Sequence, residues 1–316
     1  MRILFCGDGF PAVPDYLARR LDRAKEEIIV CEDEQAVMAA APGATVLIPS
    51  MCCIHTAVLD AGDFRLVQQW GAGLEGVDLN AAQARGIWVA NVPAAGKNAD
   101  SVAEHVILLL LAVLRQLPSA QANLGAGVLG APIGRPLAGL TVCLFGLGNV
   151  ARALARRLPA FDVRLIGLTR DPHAPKVAEL GLAAAYSPYE RNACLAGADV
   201  IIICTPLTPE TRGFIDAEAL AALPCGAVLV NAARGPIVDY DALYSALTSG
   251  HLGGAGLDVF WREPMPPDDP LLALPNVIAT PHVAGVTDRS YREIADAVVI
   301  NIERVRRGEP PLNRVV

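Results

Sequence analysis

The sequence predicts an α/β fold of two Rossmann-like, doubly wound parallel-sheet domains. Three observations carry this expectation. Short β-branched or apolar runs alternate with helix-length segments through most of the 316 residues, the pattern of parallel βαβ units. Hydrophobic residues make up 53% of the chain and charged residues only 19%, with a mean hydropathy of +0.38, which suits strands covered on both faces. A Gly- and Pro-rich segment, LGAGVLGAPIGRPLAG, then separates two sets of such strands.

The chain enters a strand at once with RILFC. EIIVC, TVLIP, RLVQQ and IWVAN follow, spaced by helical patterns such as PDYLARRLDRAKE and LNAAQARG. These five runs predict a first domain of about 95 residues. SVAEHVILLLLAVLR holds nine consecutive apolar residues, Val106 to Leu114, well short of the roughly 20 that a membrane-spanning helix needs. A buried or interface helix is expected there. After the glycine-rich break, TVCLF, VRLIGL, ADVIIIC, AVLVN, GAGLD and NVIAT supply six strands, enough for a dinucleotide-binding sheet. The last helix, RSYREIADAVVINIERVRRG, is amphipathic, and its pattern does not say on which domain it packs.

Composition narrows the class. The N-terminus has no charged region followed by a long apolar stretch and a cleavage site, so no export is expected. The eight cysteines include no CxxC pair, and Cys6, Cys31, Cys143 and Cys204 sit in or beside apolar strands while Cys52 and Cys53 are adjacent. They read as reduced, mostly buried thiols of a cytoplasmic protein with no metal. A net charge of −7 and no basic run longer than RVRR argue against nucleic acid as a partner, as the short apolar run argues against a membrane. A small molecule is the expected ligand.

Two glycine motifs compete for a nucleotide. FCGDGFPAV puts Pro11 where a helix should open and nothing small at its third position, so it reads as a plain strand-to-helix turn. Gly146-Leu147-Gly148-Asn149-Val150-Ala151 instead follows a strand and opens the helix VARALARRL, the context that a dinucleotide fingerprint demands. Gly146 permits the tight turn, Gly148 lets backbone approach a pyrophosphate, and Ala151 allows close helix packing. The next strand ends in Thr169-Arg170-Asp171. An NAD enzyme usually places an acid at that end, whereas Thr169 with Arg170 suits a 2′-phosphate. NADP is therefore favoured, and Asp171 keeps NAD as the alternative.

TPHVAG places His282 just after the last strand-like run. A lone histidine is more often structural than catalytic, so its company decides. VNAARGPIVD offers Arg234, and LDVFWREP offers Asp258 and Glu263. Hydride reduction of a carbonyl builds negative charge on its oxygen, and a histidine beside a carboxylate is a suitable proton donor near neutral pH. A fixed, bidentate arginine suits a planar carboxylate better than lysine. Read apart, Arg234 is a turn residue, Glu263 a solvated loop acid and His282 a structural histidine. His55, His105, His173 and His251 have no such partners in the motifs, although His55 lies in a candidate substrate loop.

Together with FGLGNVA, TPLTPETRGFID and NADSVAEH, these segments resemble the D-isomer-specific 2-hydroxyacid dehydrogenases nearly end to end. The resemblance implies His282 as general acid and base, Glu263 as the acid that orients it, and Arg234 as the grip on the substrate carboxylate. It implies Asp258 beside the nicotinamide carboxamide, and Asn149, Val150, Thr205, Pro206 and Ala232 among the cofactor contacts. Trp70 and the backbone of Ala72 and Gly73 are implied on the substrate side, with Asn98 at the domain hinge. The final helix is implied to return to the first domain, giving a discontinuous substrate domain of residues 1–95 plus 286–316 around a dinucleotide-binding domain of 96–285.

The family's branches differ in substrate. Phosphoglycerate dehydrogenases hold a phosphate with basic residues where this chain has Pro49 and Trp70, and many carry a regulatory domain for which PPLNRVV leaves no room. Formate dehydrogenases carry Gln where Glu263 stands. Met51, Cys52 and Trp70 suggest a small or apolar side chain, so glyoxylate, hydroxypyruvate or another unphosphorylated 2-keto acid is expected. Two alternatives are a phosphoglycerate dehydrogenase-like enzyme and a cofactor-sensing corepressor of the kind that resembles this family. The helix SVAEHVILLLLAVLR suggests a homodimer, although GAGVLGAPIG replaces the GxW element found in many relatives.

Overall fold

The computed structural model describes every residue except 8, 23, 24, 51 and 94–96, and the side chain of residue 97. The chain forms two compact units, Met1–Lys97 with Thr287–Val316, and Asn98–Val286.

The first unit holds β1 (Arg2–Cys6), β2 (Glu27–Cys31), β3 (Val46–Pro49), β4 (Leu66–Gln68) and β5 (Trp88–Ala90), all parallel in the order β2-β1-β3-β4-β5. Alternate residues serve opposite faces. Leu4, Cys6, Leu47, Val67 and Val89 enter one apolar cluster, and Ile3, Phe5, Val46, Ile48 and Leu66 enter another. The second cluster is completed by the final helix, Asp288–Arg306, through Tyr291, Ile294, Ala295, Val298, Ile302 and Val305. Their spacing of three and four residues makes one apolar stripe. A buried polar clasp adds direction: Asn301 Nδ2 donates to Gln68 Oε1 at 2.7 Å, and Asn301 Oδ1 accepts from the Leu312 amide at 2.7 Å. Where the helix PDYLARRLDRAKE is expected, the helix among the described residues is Val13–Ala18.

The second unit holds β6 (Thr141–Phe145), β7 (Arg164–Leu168), β8 (Ala184–Tyr186), β9 (Val200–Ile203), β10 (Ala227–Asn231), β11 (Leu252–Leu257) and β12 (Val277–Ala279). The order is β12-β11-β10-β9-β6-β7-β8, all parallel. The seventh strand, β8, corrects the expected six. It is three residues of Ala-Ala-Tyr, half-buried at the sheet edge, with too little β-branched character to stand out. Both faces are covered: Cys143, Ile201 and Leu229 enter one cluster and Val142, Ile202 and Val230 the other.

Helix Lys97–Leu114 packs on the sheet by unusually close approach to β11. A Cβ on Gly254 would lie 2.7 Å from Val113 Cγ1, and one on Gly256 would lie 2.9 Å from Leu109 Cβ. Larger residues in LGGAGL would push the helix away. Among the described residues no single helix is long and apolar enough to cross a membrane.

Candidate active site

The carboxyl ends of β6, β9, β10, β11 and β12 carry Gly146, Thr205, Arg234, Asp258 and His282 in turn, where open parallel sheets bind ligands. The strand order reverses between β6 and β9, and the glycine loop stands at that crevice. Gly146 has φ +89°, and a Cβ there would lie 2.8 Å from the Thr205 backbone. Both conditions call for glycine. Gly148 is the N-cap of helix Asn149–Arg157, and a Cβ on it would meet nothing within 4 Å. Open space thus lies over a helix start whose first amides lack intrahelical acceptors, and Ala151 is buried beneath. Glycine floor, amide donors and positive dipole end together fit a dinucleotide pyrophosphate. The Pro206 carbonyl accepts from Thr211 Oγ1 at 2.8 Å, which bends the neighbouring loop.

At the end of β7, the Thr169 amide donates to Tyr186 O at 2.9 Å. Arg170 is exposed, while Asp171 Oδ1 accepts the His173 amide at 3.2 Å and closes its own turn. The Glu210 carboxyl is held below its ordinary range first by the Thr208 hydroxyl and its own amide, and also by the charge of Arg170.

Arg234 is set by its neighbours. Fully buried Asn231 donates from Nδ2 to Arg234 O at 2.9 Å and accepts the Ala233 amide at 3.0 Å, which shapes the turn containing Ala232. Gly235 lies so close to the backbone of Phe260 that a Cβ would fall 2.2 Å from its carbonyl carbon. This contact brings the Arg234 turn against the segment 260–263.

There Glu263 Oε1 accepts the Phe260 amide at 2.9 Å, and Oε2 pairs with His282 Nδ1 at 2.7 Å. Burial pushes the Glu263 carboxyl up, but the hydrogen bond and charge of His282, the Phe260 amide and the Arg234 charge outweigh it, and the net shift is downward. A carboxylate accepts only, so Nδ1 carries the hydrogen of that bond. The imidazole is about one-third exposed. Among the described residues no group of three His, Cys, Asp or Glu side chains is arranged to hold a metal ion.

Residues 107–284 match the family model described as D-isomer specific 2-hydroxyacid dehydrogenase, NAD binding domain. The chain belongs to that family. It is 37% identical over 293 residues to a D-3-phosphoglycerate dehydrogenase of Mycobacterium bovis, an alignment covering 90% of this chain and 54% of that protein. The chain thus spans about half the length of the phosphoglycerate dehydrogenases it matches. A glyoxylate reductase of Korarchaeum cryptofilum is 37% identical over 261 residues, covering 81% of this chain and 77% of the relative. Among solved structures, the NADPH-dependent glyoxylate/hydroxypyruvate reductase of Sinorhizobium meliloti, in complex with NADP and malonate, superposes with a TM-score of 0.84 at 34% identity, covering 100% of this chain and 96% of that one.

Two residues of this dehydrogenase-family chain meet beneath the His282 loop. Asp258, expected beside the nicotinamide, is 0% exposed. Its Oδ1 accepts Thr280 Oγ1 at 2.6 Å and the Val283 amide at 2.8 Å, and its Oδ2 accepts the Ala284 amide at 2.8 Å. It anchors the loop that bears His282 from beneath. His105, which the motifs leave without a partner, places Nε2 2.9 Å from Thr280 Oγ1 and 3.5 Å from Asp258 Oδ1. A sequence signal existed in the glycines of β11, which mark where a helix comes close.

The other expected positions are distributed as follows. Asn98 lies against Gly285, where a Cβ would fall 2.9 Å from Asn98 Oδ1. In the first unit, Trp70 is half-buried and packs edge-on against Tyr291 at 5.5 Å, with its Nε1 buried and without a hydrogen-bond acceptor among the described residues. The carbonyl of Ala72 accepts Asn91 Nδ2 at 2.9 Å, and that of Gly73 accepts Gln69 Nε2, which shapes the loop after β4. Pro49 is buried at the end of β3 and Cys52 is half-buried, while Met51 lies outside the described residues. All eight cysteines are free, but Cys53 and Cys225 are exposed, fewer buried thiols than expected.

Proposed function

We propose that this chain is a nicotinamide-dependent reductase of a small, unphosphorylated 2-keto acid, of the glyoxylate or hydroxypyruvate type, that yields the D-2-hydroxy acid. The observation that carries the proposal is the 2.7 Å pair of His282 Nδ1 with Glu263 Oε2, set beside Arg234 at the strand ends that also hold the glycine cradle. When bound, the reduced nicotinamide supplies a hydride to the carbonyl carbon. Arg234 grips the carboxylate of the keto acid and draws charge toward its carbonyl oxygen. Glu263 accepts from Nδ1–H and so fixes the tautomer, which directs proton delivery to the carbonyl oxygen through Nε2. His282, Glu263 and Arg234 are the residues assigned to this chemistry; Gly146, Gly148, Asn149 and Val150 bind the pyrophosphate, and Thr205, Pro206 and Ala232 flank the cofactor.

NADP is the preferred cofactor in this proposal. Asp171 is engaged by its own turn, and Arg170 is exposed at the position suited to a 2′-phosphate. The NADP-bound relative supports the same preference. On the substrate side, Trp70 and the loop of Ala72 and Gly73 are assigned to the keto acid, and Asn98 to the hinge between the two units. Exposed Leu117, Leu124, Leu129 and Ile133 support a homodimer, because such an apolar run in water favours a protein partner.

A second reading, 3-phosphoglycerate oxidation, is favoured by the extent of similarity to the phosphoglycerate dehydrogenases. Buried Pro49 and ring-packed Trp70 offer a phosphate no charge-assisted partner at the two positions where cations are expected. A screen of NADPH and NADH oxidation with glyoxylate, hydroxypyruvate, pyruvate and phenylpyruvate, run beside 3-phosphoglycerate oxidation, separates the readings. Turnover of glyoxylate or hydroxypyruvate with NADPH is expected. No turnover of any 2-keto acid supports a corepressor-like sensor instead, and preferred turnover of 3-phosphoglycerate supports the second reading.

A further inference from the structure

Helix Lys97–Leu114 and β11 run past one another in matched steps. Val113 meets Gly254 and Leu109 meets Gly256, so two residues along the strand correspond to four along the helix. Those steps are about 6.6 Å and about 6 Å, and the match continues for one more repeat. The next strand residue on that face is Asp258, and the next helix residue is His105, whose Nε2 lies 3.5 Å from Asp258 Oδ1. The glycines therefore bring an imidazole to the buried carboxylate that anchors the 280–284 loop.

Hydrogen-bond roles follow from proton count. Thr280 Oγ1 lies 2.6 Å from Asp258 Oδ1 and 2.9 Å from His105 Nε2. A hydroxyl has one proton, and it is given to the carboxylate, so Thr280 accepts from His105 Nε2–H. The donors form a chain into Asp258, each polarising the next. Asp258 in turn receives the Val283 and Ala284 amides at 2.8 Å each. His282, just before them, holds φ +55°, a left-handed conformation that a non-glycine residue keeps only when its surroundings impose it.

We infer that His105 is a positioning residue for the reaction proposed above, acting through Thr280 and Asp258 to hold His282 in its left-handed conformation. The inference rests on the reading of His282 as proton carrier, but its anchoring step is measurable without turnover. His105→Leu removes the donor while keeping an apolar body, His105→Gln returns an N–H near the place of Nε2, and Thr280→Val breaks the same chain one link later. Amide hydrogen exchange of Val283 and Ala284 reports the loop. Losing one link is expected to speed that exchange about tenfold in His105→Leu and Thr280→Val, with β6 and β9 amides unchanged and His105→Gln close to wild type. In the same variants kcat falls about tenfold while KM for the cofactor stays constant. Unchanged loop exchange in His105→Leu, equal acceleration in β6 and β9, or a Gln variant no better than Leu would overturn the inference. If loop exchange responds as stated but the wild-type chain reduces no 2-keto acid, the functional reading fails and the anchoring role stands.

Discussion

Replacing Asp258 with Asn changes one atom at the base of the His282 loop and tests how that loop is held. The carboxylate is fully buried and accepts a hydroxyl at 2.6 Å and two backbone amides at 2.8 Å. An amide side chain has one acceptor oxygen. In either orientation its NH2 group faces a backbone N–H, of Val283 or of Ala284, so one charge-assisted bond is lost and one buried donor is left unmatched. The expected cost is about 3 kcal/mol. For a unit of the size of Asn98–Val286, with Tm moving about 2–4 °C per kcal/mol, the melting temperature falls by roughly 6–12 °C. Differential scanning calorimetry measures the shift, and amide exchange of Val283 and Ala284 locates it. A Tm within 2 °C of wild type, or a large loss of Tm with the two amides still protected, would refute the anchoring role of Asp258.

Two further outcomes follow from the same geometry. Because the Glu263 carboxyl is shifted below its ordinary value of 4.5, its ionised form stabilises the fold above that pH, and the contribution disappears as pH falls through the lowered value. The Tm gap between wild type and Glu263→Gln is thus expected to be open at pH 6–8, worth about 1–2 kcal/mol, and to shrink on acidification below the ordinary carboxyl value; a gap that widens on acidification contradicts it. Gly146→Ala adds a Cβ within 2.8 Å of the Thr205 backbone at φ +89°, so cofactor affinity by fluorescence titration is expected to fall at least about tenfold, and undiminished binding would remove the glycine cradle from the account.

Much of this molecule is legible in the sequence because its strands are buried on both faces and so appear as unbroken apolar runs, VIII in β9 and AVLVN in β10 being the clearest. The edge strand β8 lacks that signal, since Ala184 and Ala185 bury little and the strand is paired on one side only. The pairing of Glu263 with His282 is implied by the family resemblance, whereas the anchoring role of Asp258 is not. Its role depends on the turn after β12, which brings the Val283 and Ala284 amides over a carboxylate 25 and 26 residues earlier. His105 is more remote still. Helical periodicity marks it as one more position on an apolar helix, and only the register of that helix against the glycines of β11 reveals that it meets Asp258. Asn231 was hidden for the same reason: a polar residue ending an apolar strand shows its purpose only when both of its side-chain atoms are seen to shape the Arg234 turn.

In the proposed reaction His282 gives the proton as hydride reaches a 2-keto acid. Single-turnover oxidation of bound NADPH by glyoxylate or hydroxypyruvate, followed at 340 nm in wild type and His282→Asn, tests it most directly. A rate at least about a hundredfold lower is expected in the variant, with NADPH affinity unchanged because the glycine cradle is untouched. An equal rate in the two proteins would contradict it.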